Sequence, residues 1–128
     1  LKEFVKKNNL SPYVKIMNFQ KNPYPYLKRS EVLILSSLYE GLPNVLLESL
    51  SLKKFVISSD CPTGPKEILD YGKNGLLFKM NNENDLLKKI IYYIQKKKKC
   101  EYLLKNGVKR LWRFDYRSNL QKYVKLVN

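Results

Sequence analysis

Glu40 and Glu48 stand eight positions apart in the stretch Ser36-Ser37-Leu38-Tyr39-Glu40-Gly41-Leu42-Pro43-Asn44-Val45-Leu46-Leu47-Glu48, with a glycine and a proline between them. A carboxylate accepts hydrogen bonds from hydroxyl-rich groups and repels phosphate. A helix start does the reverse, because its free N–H groups and positive dipole end attract phosphate. The stretch holds both kinds of group, and Gly41 lets a ligand come close to the backbone. Placing Pro43 at 0° and turning 100° per residue puts Asn44, Ser51 and Glu48 near about 100°, 80° and 140°. Leu46, Leu47 and Leu50 fall on the opposite side, as a core-facing stripe would. Acids beside a phosphate-reading helix start suit a ligand with a diphosphate between two hydroxylated groups. The plain alternative is a first-turn acid at Glu40 and a solvated side chain at Glu48.

The elements that must position these groups follow from punctuation and periodicity. Val32–Ser36 reads as a buried strand, and Pro43–Leu52 as a helix with Pro in its first turn, where no N–H is needed. Phe55–Ser58 and Leu76–Phe78 read as strands, with Gly72-Lys73-Asn74-Gly75 as the turn before the second. Pro65–Leu69 starts a short helix, which Thr63 is placed to cap behind Gly64. Upstream, Leu1–Asn9 reads as a helix end, Tyr13–Phe19 as a strand, and Asn22-Pro23-Tyr24-Pro25 as a turn into a short helix through Leu27. Downstream, Asn81–Asp85 caps a long helix whose buried stripe is Leu86, Leu87, Ile90, Ile91 and Ile94, followed by helices around Leu103–Leu111 and Ser118–Val127. Strands alternate with helices, so the class is α/β: a Rossmann-like parallel sheet of about four strands with flanking helices. Ligands bind such sheets at the carboxyl ends of the strands, where Glu40 lies.

Composition bounds the partners. The 128 residues suit one domain, with a core over residues 13–95 and a basic helical tail over 96–128. Histidine is absent, which removes the commonest general base and metal ligand. Cys61 and Cys100 form no paired framework and suit a reducing compartment; Cys61 reads as a packed small side chain. No apolar run approaches the ~18 residues of a membrane span, and no leader or lipidation motif opens the chain, so the default compartment is the cytoplasm. Leu1 is not an initiator Met, and the chain reads as a piece of something longer. The net charge of +14 is concentrated after residue 85, where 13 Lys/Arg face two acids. Lys96–Lys99 is either a solvated helix end or an attraction for anionic lipid at the inner face of a membrane, or for acidic glycans. No nucleic-acid-reading signature accompanies the charge.

Three ordered segments carry a family resemblance over residues 13–95. Tyr13–Phe19 with Asn22-Pro23-Tyr24-Pro25-Tyr26, then Ser30–Asp60 with its E-x7-E, then Gly64–Phe78 ("GPKEILDYGKNGLLF") resemble the C-terminal, donor-binding domain of retaining glycosyltransferases of family 4, which have the GT-B fold. The resemblance implies a UDP-sugar donor and transfer of a hexose or N-acetylhexosamine, with retention, to a lipid-linked or surface-polysaccharide acceptor. It implies that Glu40 is the catalytic residue touching donor-sugar hydroxyls, and that Glu48 holds the ribose. The amides of Gly41 and Leu42 would face the sugar, and those of Val45 and Leu46 the diphosphate, with Asn44 and Lys66 also toward the donor. Lys66 reads equally as a surface lysine, and Glu67 as a helix-start acid. No metal and no other cofactor are implied. The family's two preceding βα units and its acceptor domain have no counterpart in the sequence, so a missing N-terminal domain or a companion chain is expected, and the chain alone is expected to be inactive. A non-catalytic module docking to a partner chain or anionic surface is the alternative.

Overall fold

The computed structural model describes residues 1–127, except for the side chains of residues 118, 122–124, 126 and 127. Its centre is a parallel sheet of three strands, β1 (Val32–Leu35), β2 (Phe55–Ser59) and β3 (Leu76–Phe78), in that spatial order. The register pairs Val32 with Phe55 and Ile57 with Leu76. All five residues of β2 are buried, as expected of a middle strand covered on both faces. Its side chains alternate between two cores. Val56 joins Leu46, Leu50, Ile68 and Leu69 on one face. Phe55 and Ile57 join Phe78 and Cys100 on the other.

The helices are α1 (Lys2–Lys7), α2 (Tyr24–Arg29), α3 (Asn44–Ser51), α4 (Pro65–Ile68), α5 (Glu83–Gln95), α6 (Lys97–Lys109) and α7 (Tyr116–Val127), with a 3-10 turn at Leu111–Phe114. Helices α3 and α4 cover the first face, and α5 and α6 the second. Helix α6 also reaches α3: a Cβ on Gly107 would lie 3.0 Å from Leu50 Cδ2, so glycine permits that contact. The end of α6 is tied to the turn after α4 by the Arg110–Asp70 ion pair.

Two expectations are corrected. The sheet has three strands among the described residues, not four, because Tyr13–Phe19 forms no strand. Its first amides, Tyr13 N–H and Val14 N–H, close a turn onto Leu10 O, and Tyr13 and Phe19 are almost fully exposed. Strand propensity needs a neighbour to pair with and a surface to cover, and this segment has neither. The α5 stripe is the second correction. Leu86 and Ile90 pack inward with Tyr93, whereas Leu87, Ile91 and Ile94 remain 53%, 42% and 61% exposed. Residues 13–20 are exposed apart from Ile16, while α6, beyond residue 95, buries Cys100 and Gly107.

Candidate functional site

After β1 the chain crosses the carboxyl edge of the sheet as the loop 36–43, and hydroxyl groups hold it in place. Ser37 Oγ donates to Glu40 Oε1 at 2.6 Å. Ser59 Oγ, at the end of β2, donates to Ser37 O at 2.5 Å. Thr63 Oγ1 donates to the Glu40 carbonyl. Thr63 therefore does not cap α4 as its position suggested; the N-cap is Gly64, which makes no side-chain bond. Gly64 has φ +78°, and a Cβ there would run into Gly41 O and fall 2.6 Å from Pro43 Cδ. The two loops are pressed together through the space a side chain would fill.

The same contact fixes the start of α3. Pro43 is the N-cap, without a capping side chain, and no acid stands in the first turn. Leu46 N–H donates to Pro43 O at 3.0 Å, so the sequence-based assignment of that amide to a diphosphate leaves out its backbone partner. The N–H groups of Gly41, Leu42, Asn44 and Val45 have no backbone or side-chain acceptor among the described residues. Gly41, Leu42 and Asn44 are exposed, and a Cβ on Gly41 would meet nothing within 4 Å. Open space, unfilled donors and the positive end of the helix dipole coincide, which is the arrangement that binds anions. The side chain of Leu46 is fully buried on the far side of the helix.

Glu48 lies one turn further along α3, half-buried. Tyr24 Oη donates to Glu48 Oε1 at 3.3 Å. The charge of Glu48, followed by that hydrogen bond and partial burial, pushes the Tyr24 phenol above its ordinary value. Glu48 also lines a concavity of about 450 Å3 with Ser51, Trp112 and Asp115. Glu40 and Glu48 thus flank the helix start from the loop before it and the turn after it. Tyr24, Trp112 and Asp115 escaped sequence reasoning because they come to Glu48 from distant elements with no local signature.

Lys66 Nζ lies 3.2 Å from Asp60 Oδ1, with both side chains more than a third exposed. A pair of that exposure contributes at most about 1 kcal/mol, but it holds the ammonium at the carboxyl edge beside β2. Glu67 is exposed in the first turn of α4. Cys61 is fully buried, its thiol directed at Thr63 O at 3.7 Å. Among the described residues, no cluster of three His, Cys, Asp or Glu could hold a metal ion, and no helix is long and apolar enough to cross a membrane.

Residues 1–110 match the family described as "Glycosyl transferases group 1". The chain belongs to the group 1 glycosyl transferases. An uncharacterized glycosyltransferase of Methanocaldococcus jannaschii is 46% identical over 92 residues, covering 62% of this chain and 23% of that protein. The N-acetylgalactosamine-N,N'-diacetylbacillosaminyl-diphospho-undecaprenol 4-alpha-N-acetylgalactosaminyltransferase of Campylobacter jejuni is 35% identical over 82 residues, covering 64% of this chain and 22% of that enzyme. Among solved structures, Anabaena HepE in complex with UDP superposes with a TM-score of 0.87 at 20% identity, over 98% of this chain and 35% of that one. That likeness bears on fold: this group 1 glycosyl transferase has the α/β, Rossmann-like architecture of GT-B structures. The matched segments amount to about a quarter of the length of these curated relatives.

Proposed function

We propose that this group 1 glycosyl transferase chain is the donor-binding part of a retaining, family 4 type enzyme that uses a UDP-sugar. The observation that carries the reading is the start of α3, where four N–H groups without an acceptor lie along the chain between two carboxylates, beside open space at Gly41. The diphosphate takes the amides of Asn44 and Val45, and those of Gly41 and Leu42 face the sugar. Glu40, oriented by Ser37, accepts from sugar hydroxyls; Glu48, held by Tyr24, accepts from the ribose. Lys66 adds positive charge at the same edge. In the transfer, the C1–O bond to the diphosphate breaks, UDP departs with the electron pair, and the acceptor oxygen bonds C1 on the same face as its hydroxyl proton passes to the departing diphosphate oxygen. Donor amides and the helix dipole offset the charge that develops on the leaving group. The Campylobacter relative's name describes N-acetylgalactosamine transfer onto a diphospho-undecaprenol-linked sugar. It supports a hexose or N-acetylhexosamine donor and a lipid-linked or polysaccharide acceptor.

Further chain is needed to complete this site. Among the described residues the outer edge of β1 is unpaired, Ile34 in its middle is 38% exposed, and the Leu87–Ile91–Ile94 stripe of α5 is exposed. An unpaired edge offers its N–H and C=O groups to a further strand, and parallel sheets normally have both faces covered. The occupant of this edge is a further pair of βα units with the acceptor-binding domain, in the same polypeptide or a companion, and the chain alone transfers no sugar. The surplus of basic residues after Leu86 favours a cytoplasmic enzyme resting peripherally on an anionic membrane. The same bare edge favours one second reading, a non-catalytic module that docks to a partner chain.

Protein-observed NMR of the chain with UDP, alongside Glu48→Ala, tests the donor reading. UDP-induced shifts over Gly41–Leu46 that the variant loses support the donor site. A folded chain indifferent to UDP overturns it and leaves the docking module.

A further inference from the structure

At the edge of the sheet opposite the start of α3, where the parallel strands begin, a cavity of about 420 Å3 opens between the end of α2, the turns entering β1 and β2, and the joint of α5 and α6. Its floor is aromatic: the rings of Phe55 and Tyr93 stack at 5.0 Å. Lys97 is already engaged, 2.9 Å from Glu31 Oε2 and 4.0 Å above the Tyr93 ring. Arg29, Lys53 and Lys54 also line the cavity, and none of their side chains has a hydrogen bond or ion pair among the described residues.

The backbone holds two of these cations in place. Lys53 N–H donates to Leu50 O and Lys54 N–H to Ser49 O, the closing pattern of a Schellman motif on α3. Lys53 therefore occupies the left-handed position, at φ +57°, where glycine is the usual residue. A second concavity of about 380 Å3 adjoins the first, shares Lys53, Glu101 and Leu104, and adds Lys105 and Lys109. Together the two are lined by six Lys/Arg side chains against Glu31 and Glu101. Helix C-termini favour nearby cations, which accounts for part of this density. It does not account for three cationic side chains without a hydrogen bond or ion pair around one aromatic floor, where the nearby Glu31, which also feels the Lys54 charge, is already bonded to Lys97.

We propose that this basin is an anion site for a phosphate-bearing ligand, separate from the donor edge. The fork of Arg29 and the ammonium groups of Lys53 and Lys54 grip the phosphate oxygens, and the Phe55–Tyr93 floor takes the less polar part of the ligand. Five residues of β2 separate the basin from the donor edge, about 17 Å at strand rise, so UDP and this ligand occupy the chain together. The shared chemistry is a phosphate mono- or diester, carried either by a lipid headgroup or by a soluble molecule.

The test titrates the full chain, at constant ionic strength set with chloride, with inorganic phosphate followed by NMR, and with phosphatidylglycerol or phosphatidylcholine vesicles followed by sedimentation. Parent chain is compared with Lys53→Gln/Lys54→Gln and with a charge-matched control, Lys88→Gln/Lys89→Gln on α5. The expected result is phosphate-induced shifts at Lys53, Lys54, Tyr93 and Lys97 without change over Gly41–Leu46. Binding should weaken about tenfold in the basin variant and stay unchanged in the control. Selective sedimentation with phosphatidylglycerol, lost in the basin variant alone, assigns the source to a lipid headgroup. Phosphate binding without that selectivity assigns it to a soluble phosphate ester. Absence of localised shifts together with equal sedimentation on both vesicles overturns the site, as does an equal loss in the two variants.

Discussion

Helices α3 and α5 both start at the carboxyl edge of the sheet, yet they finish their N-termini in opposite ways. Helix α5 seals itself. Asn82 Oδ1 accepts from Asp85 N–H at 2.8 Å, and Asp85 Oδ2 accepts from Lys79 N–H at 2.8 Å. Glu83 and Asp85 also place negative charge in its first turn. Helix α3 has no capping side chain, no acid in its first turn, and unfilled donors around an open glycine. Their bodies contrast as well: α3 buries Leu46, Ser49 and Leu50 within eight residues, whereas α5 has no fully buried residue in thirteen. A helix that is anchored firmly through its body can leave its first turn unfinished for a ligand. One that is anchored lightly relies on its caps.

The largest effect on this contrast comes from Gly64→Ala. A methyl there meets Gly41 O and Pro43 and forces a left-handed φ on alanine, so a loss of at least about 3 kcal/mol is expected. Urea unfolding measures it. A loss below about 1 kcal/mol would mean the two loops are not locked together.

A smaller cost falls on the sealed helix. Asn82→Ala removes the acceptor for Asp85 N–H and should lower stability by about 1 kcal/mol. Asn44→Ala, on the open helix, should stay within about 0.5 kcal/mol of the parent. Equal losses in urea would erase the distinction between the two N-termini.

Gly41→Ala should change stability least of all, within about 0.5 kcal/mol, because its Cβ enters empty space. The same methyl stands where the donor's sugar and diphosphate approach, so the UDP-induced NMR shifts should disappear. A variant that destabilises the chain would show that the open space is structural. A stable variant with full UDP response would remove Gly41 from the donor path.

Much of this was readable in the residues. Ser36–Glu48 announced a strand end, a loop and a helix with a polar edge, and α3 buries Leu46 and Leu50 as their spacing required. Asn82 and its acids announced the start of α5. Other features were not readable. Thr63 has the sequence position of a cap, but its hydroxyl goes to Glu40 O, 23 residues away. Lys66 meets Asp60, and Tyr24 meets Glu48, through loop placements that no local pattern encodes. Tyr13–Phe19 has strand composition without a strand, and α5 has more apolar positions than the present fold covers.

The sequence by itself determined the α/β alternation, the order of the elements, the core side of α3 and the capping of α5. Each depends on interactions between residues a few positions apart. Tertiary structure alone decided how many strands form, which hydroxyls hold Glu40, which α3 amides stay unfilled, and that Arg29, Lys53 and Lys54 share one basin. Those outcomes depend on whether distant segments meet. A strand, a hydrogen bond or a cluster of charges exists only where a partner from elsewhere in the chain arrives to complete it.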